Sequence, residues 1–275
     1  MSRIFHADTE EEFKKITAGI AELSDEETAL PELLERIIGQ QYIQEKERML
    51  RALEGERGTY IPLEEGGGGD FWIEEASGVG VGSTKLLDVI GHGVASLPTK
   101  ILVMRMIELY KKARPENEAH VFAAIDEFLA DLPGTQTADY AEVRLGVDDG
   151  VPYCDIEVAG GIEVLIRDNE SGEVMRGSEV GYPPLGFGEA QRTKRKLTRT
   201  VIPRSADVYI ASDGLFDLAM DNDERFGKQF QQFCEERKKM SAEEFRGALM
   251  DVIAERRAKG RVRDDITVII LKNRP

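Results

Sequence analysis

Cysteine, histidine and tryptophan are scarce in this chain: two, three and one among 275 residues. The two cysteines, Cys154 and Cys234, share no metal-ligand spacing. That argues against a thiolate zinc site or a disulfide framework, and both read as reduced, buried thiols. Among the histidines, His6 and His120 have no supporting context, and His92 between two glycines reads first as a turn residue. No apolar run approaches the roughly 20 residues of a membrane span. The opening Met1-Ser2-Arg3-Ile4-Phe5-His6-Ala7-Asp8 lacks the apolar core of a signal peptide. Basic charge is short too, with 36 Lys and Arg against 52 Asp and Glu, a formal net charge of −16. Sequence-independent binding to nucleic acid or to an anionic membrane needs the opposite balance. The expectation is a cytoplasmic protein with neither nucleic acid nor membrane as partner. An anionic phosphorylated substrate stays compatible with this charge if bound cations offset it locally.

What remains is an ordinary globular composition, 41% hydrophobic, and a length that fits one large domain or a domain with an appendage. Residues 1–57 read as charged and helical. Thr9-Glu10-Glu11-Glu12 and Ser24-Asp25-Glu26-Glu27 fit capping boxes, and Leu30, Leu33, Leu34, Ile37, Ile38, Met49, Leu50 and Leu53 follow at helical spacing. Packing against the main domain accounts for such a stretch, and so does a dimer-forming or signal-receiving helix pair. Gly55-Glu56-Arg57-Gly58 breaks the pattern, and a second domain is expected over 58–275. There the pattern predicts short strands at Thr84–Ile90, Ala141–Val147, Tyr153–Ala159, Ile162–Arg167, Lys196–Ile202, Val208–Ser212 and Ile266–Leu271. Turns such as Asp148-Asp149-Gly150 and Asn169-Glu170-Ser171-Gly172 imply antiparallel hairpins. Helices are expected at about Val94–Ala113, Glu116–Asp131 and Ala242–Lys259, the last opened by the capping box Ser241-Ala242-Glu243-Glu244. The fold class is α+β, with helices packed on mainly antiparallel sheet.

Four aspartates carry the candidate chemistry. Asp70 follows Gly66-Gly67-Gly68-Gly69, Asp88 precedes Val89-Ile90-Gly91-His92-Gly93, Asp213 stands in Ser212-Asp213-Gly214, and Asp264 opens Asp264-Asp265-Ile266-Thr267. Each places a carboxylate where an apolar run meets a loop or glycine, which is how hard divalent cations acquire oxygen ligands. Taken singly the contexts are weak, since Asp-Gly is a common turn and Asp a common cap. The glycine run before Asp70 lacks the Lys-Ser/Thr of a phosphate-cradling loop and by itself reads as an exposed turn. Asp264 is different, because a carboxylate at the head of a buried strand needs compensation.

In this order, Gly-Gly-Asp-Phe-Trp, Asp-Val-Ile-Gly-His-Gly-Val, Ser-Asp-Gly-Leu and Asp-Asp-Ile-Thr-Val resemble the SpoIIE/RsbU branch of the PPM-type, metal-dependent serine/threonine protein phosphatases. Tyr182-Pro183-Pro184-Leu185-Gly186-Phe187 matches the family's Pro-Leu-Gly segment, and the resemblance covers roughly Thr59 to Lys272. It implies an α-β-β-α sandwich of two antiparallel sheets flanked by helices, here with an N-terminal helical extension. It further implies two Mn²⁺ or Mg²⁺ ions per subunit. Asp88 would bridge them with the Val89 carbonyl as an added ligand, Asp70 would serve the second ion, and Asp213 with Asp264 would hold the first. Hydrolysis of phosphoserine or phosphothreonine would then proceed through a water activated by the two metals. The natural substrate by analogy is a phosphorylated anti-sigma-factor antagonist of the STAS kind.

Three departures from the family stand out. The strand pair ahead of the first motif is reduced to Thr59–Leu63, Leu97-Pro98 interrupts the first helix, and no phosphate-gripping arginine precedes Asp70. Two readings compete with the enzyme. A pseudophosphatase, signalling by contact, would be marked by loss of ligands, and all four are present. A nucleotide cyclase of the Gly-Gly-Asp type, suggested by Gly68-Gly69-Asp70-Phe71, leaves Asp213-Gly214 and Asp264-Asp265-Ile266-Thr267 unexplained.

Overall fold

Residues Ala206–Ala211 are buried without exception, which requires cover on both faces of one strand. Period-two alternation explains it. Ala206, Val208 and Ile210 face one core, while Tyr209 and Ala211 face another. In the computed structural model this strand lies inside the unit Glu56–Pro275. The structure describes residues 58–61, 70–77, 81–89, 99, 103, 121–131, 137–177, 182–187, 198–221, 224–262 and 264–272. The helical, regulatory or dimerising reading of residues 1–57 lies outside them.

Among the described residues, ten strands form two five-stranded sheets in which every pairing is antiparallel. The strands are β1 Gly58–Ile61, β2 Asp70–Ser77, β3 Val81–Val89, β4 Ala138–Asp148, β5 Val151–Ala159, β6 Glu163–Asp168, β7 Val174–Arg176, β8 Thr198–Val201, β9 Ala206–Ala211 and β10 Ile266–Lys272. One sheet runs β1-β10-β9-β6-β7 and the other β2-β3-β4-β5-β8. Leu86, Val143 and Ile156 from the second sheet meet Val164, Val208, Ile210 and Ile269 from the first, and this contact is the central core.

Helices α1 Val121–Asp131, α2 Asp213–Phe216, α3 Phe226–Glu236 and α4 Ala242–Ala258 are described. The last two cover the outer face of the β10-β9-β6 sheet, where Phe226, Phe233, Phe245, Leu249 and Ile253 bury against Tyr209, Val268 and Ile270. Edge-to-face contacts join Phe226 to Phe233 and Phe233 to Phe245, with ring centroids 5.4 and 5.5 Å apart. Helix α4 begins at the expected capping box, with Ser241 and Glu244 satisfying each other's backbone amides.

The α+β expectation holds, with corrections at particular elements. β4 starts three residues before the expected Ala141, and β2 replaces the turn read at Asp70. Neither α3 nor β7 was marked by the pattern. Of the helix expected over Val94–Ala113, Thr99 and Val103 are described, both helical and buried.

Candidate metal centre

Strand register lines up three carboxylates. Asp70 of β2 stands directly opposite Asp88 of β3, and Asp88 stands opposite Asp139 of β4. Opposed residues share a face of the sheet, and like charges in that position repel. The other sheet brings its own acids to the same end. β9 and β10 are neighbours with Ala211 opposite Val268, so Asp213, just after β9, and Asp264, just before β10, emerge together. One oxygen from each of Asp88, Asp139 and Asp213 falls within 4.8 Å of the others.

Glycines make this approach possible. A Cβ on Gly214 would sit 1.9 Å from the Asp265 carbonyl oxygen, so only glycine after Asp213 lets α2 close on the β10 turn. Gly160, at φ +81, presses on Asp139, where a Cβ would fall 1.8 Å from Oδ1. The amide of Gly161 then donates to Asp139 Oδ2 at 2.6 Å. The Pro-Leu-Gly segment straps the same end, because Leu185 and Ala138 exchange two backbone hydrogen bonds of 2.8 and 3.0 Å. Buried Asp126 of α1 accepts from the Gly186 amide at 2.7 Å and holds that strap.

The electrostatics of the cluster are unfavourable to bare carboxylates. Burial first, then the charges of Asp70, Asp213, Asp264 and Asp139, push Asp88 up to about 11. Burial raises Asp139 to about 6 against the opposing pull of the Gly161 amide. Burial also raises Asp70 to about 7, offset in part by hydrogen bonds from Thr267 and Ser212. Asp213 is raised by burial and by Asp264. Asp88 stands opposite Asp70 and has an oxygen within 4.8 Å of Asp213, a crowding of carboxylates that a proton or a cation relieves. Asp213 Oδ1 is buried with no hydrogen-bond partner. An all-oxygen, multiply anionic donor set with an orphaned oxygen fits hard divalent cations such as Mg²⁺ or Mn²⁺.

The sequence-derived residues are not equivalent here. Asp88 and Asp213 converge directly. Asp70, 2% exposed, is drawn back toward Ser212 and Thr267 at the head of its strand. Asp264 is half-buried beside Asp213, and its Oδ1 accepts from the Asp265 amide at 2.8 Å. Val89 ends β3 with its side chain fully buried. His92 lies outside the described residues. Asp139 is absent from the sequence-derived set, because the pattern starts that strand at Ala141 whereas it begins at Ala138. The signal available was the pair Gly160-Gly161, a tight turn that the geometry places against that carboxylate.

Two antiparallel sheets packed face to face are the fold of the PP2C type of phosphatase domain. The profile of the Stage II sporulation protein E (SpoIIE) family matches residues 84–274, and the chain belongs to that family. It is similar to the SiaA-PP2C domain of Pseudomonas aeruginosa, at 21% identity over 84% of this chain and 93% of that one, with a TM-score of 0.65. The RsbU and RsbW domains of Rv1364c from Mycobacterium tuberculosis align at 18% identity and a TM-score of 0.63. That alignment covers 79% of this chain and 59% of the two-domain one. The PP2C phosphatase domain of SpoIIE from Bacillus subtilis, with a fragment of its regulatory domain, aligns at 14% identity over 97% and 96%, with a TM-score of 0.56. No curated protein sequence gives a significant match. Among the described residues, no helix is long and apolar enough to cross a membrane.

Proposed function

We propose that this phosphatase domain hydrolyses phosphoserine or phosphothreonine in a bacterial signalling protein, and that it depends on two Mn²⁺ or Mg²⁺ ions per subunit. The observation that carries the reading is the convergence of Asp88, Asp139 and Asp213, one oxygen each within 4.8 Å. Asp88 would bridge, with the Val89 carbonyl beside it, Asp70 would serve one ion, and Asp213 with Asp264 the other. Asp139 joins this set as a further ligand. When bound, the cations supply a water of lowered pKa and positive charge for the phosphoryl oxygens. The chain's own contribution is to hold five carboxylates against their mutual repulsion. A protein nucleophile is not needed, in keeping with the buried thiols, both pushed up to about 12 by desolvation.

A phosphorylated anti-sigma-factor antagonist of the STAS kind is the proposed substrate. Membership of the SpoIIE family and likeness to a chain that pairs RsbU with RsbW support a regulatory protein partner. Residues 1–57 are proposed as the regulatory or dimerising element, and their deletion is expected to change activity or oligomeric state by light scattering. The central test is hydrolysis of a phosphoserine peptide with and without Mn²⁺, in the wild type, Asp88→Asn and Asp213→Asn. Turnover that requires the metal and is lost in both variants is expected. Activity surviving in either variant overturns the ligand assignment, and a wild type that binds Mn²⁺ without turnover favours signalling by contact.

A further inference from the structure

The head of β2 is tied to the opposite sheet by a closed ring of hydrogen bonds. Thr267 of β10 donates its hydroxyl to Asp70 Oδ2 at 2.7 Å, and Ser212, just after β9, donates to the same oxygen at 2.9 Å. The Thr267 amide in turn donates to Ser212 Oγ at 3.0 Å. Ser212 Oγ also lies 3.4 Å from the Asp265 carbonyl, and the shorter contact is the one to the carboxylate. Both hydroxyl residues are fully buried. Thr267 is β-branched, so its hydroxyl is aimed by one stiff torsion rather than by a flexible stem.

We infer that Ser212 and Thr267 act as positioning residues, a hydroxyl clamp that fixes the Asp70 carboxylate for cation ligation. The inference rests on the reading of these carboxylates as cation ligands and deepens it. Because Oδ2 accepts both hydroxyls, the orientation of the carboxylate is set. The clamp spans the two sheets, so it also sets how far β2 stands from β9 and β10 at the end where the acids meet. Outer partners that orient a ligand in this way typically change metal affinity by about 10–100-fold when removed.

The test uses the full chain and reads Mn²⁺ binding by the loss of free-ion electron paramagnetic resonance signal, with thermal unfolding in EDTA alongside. Thr267→Val removes the hydroxyl at constant shape, Thr267→Ser keeps it, and Ser212→Ala removes the second donor. Thr267→Val and Ser212→Ala are each expected to weaken Mn²⁺ binding by about 10-fold or more, with Thr267→Ser close to the wild type. A purely structural hydroxyl would lower the unfolding midpoint in EDTA and leave the Mn²⁺ dissociation constant untouched. Unchanged affinity in both Thr267→Val and Ser212→Ala overturns the clamp and leaves the cation reading standing. Failure of the wild type to bind Mn²⁺ overturns the cation reading and the clamp with it. Should Thr267→Val not fold, Ser212→Ala carries the comparison.

Discussion

At the scale of single residues, Gly214 is where the site tolerates least. Any larger side chain meets the Asp265 carbonyl at 1.9 Å, and the neighbour is backbone, so relief requires moving either α2 or the β10 turn. Gly214→Ala is therefore expected to destabilise by about 1–3 kcal/mol, the range for overpacked positions. It also pushes Asp213 away from Asp88, so Mn²⁺ affinity should fall together with the urea midpoint; a variant unchanged in both would refute this close-packing account. The same logic separates what was legible in the sequence at this scale. Asp88 and Asp213 stand in short glycine-bearing motifs whose local geometry advertises itself. Asp139 has no such motif of its own. Its role arises from strand register and from Gly160-Gly161 pressing on it from 21 and 22 positions further along the chain.

At the scale of elements, legibility followed local signals. Helix α4 was readable because Ser241 and Glu244 form a capping box, whereas α3, from Phe226, has Arg225 as an N-cap with no side-chain hydrogen bond and carries Gly227 in its first turn. The information lay instead in Phe226, Phe230 and Phe233, spaced to share one helix face. Strand β2 was hidden by its own chemistry, since three of its eight residues are acidic. Only pairing with β3 makes it a strand. The strap Leu185–Gly186 depends on α1 through Asp126, and this yields an element-scale prediction. Asp126→Ala removes the acceptor and leaves the half-buried Gly186 amide without it, at a cost of about 1 kcal/mol. Amide exchange at Gly186 and Leu185 should quicken, while amides in the core of β9 keep their protection. Equal acceleration in β9 would mean that the strap is not a separate unit.

For the whole molecule, the gathered acids set a pH dependence. Asp139 and Asp70 are raised from 3.8 to about 6 and about 7, so between about pH 4 and 7 the native state holds protons that the unfolded chain has released. Stability of the metal-free protein should therefore fall as pH rises through that window. Asp221, held down to about 2 by Arg256 and Lys259, acts in the opposite sense but below the window. Urea unfolding in EDTA is expected to show a lower midpoint at about pH 7 than at about pH 5. Mn²⁺ should reverse the difference, and Asp139→Asn should shrink it. A midpoint that rises with pH in EDTA would contradict the electrostatic picture.

The ring that joins Asp70 to Thr267 closes across 197 residues. Formation of the site is consequently among the most non-local events available to this chain, and loop closure over such a span is slow. A growing chain that has not yet released β10 possesses Asp70, Asp88 and Asp139 but neither Asp264 nor Thr267 in place. The proposed cation site is thus complete only once β10 lies between β1 and β9.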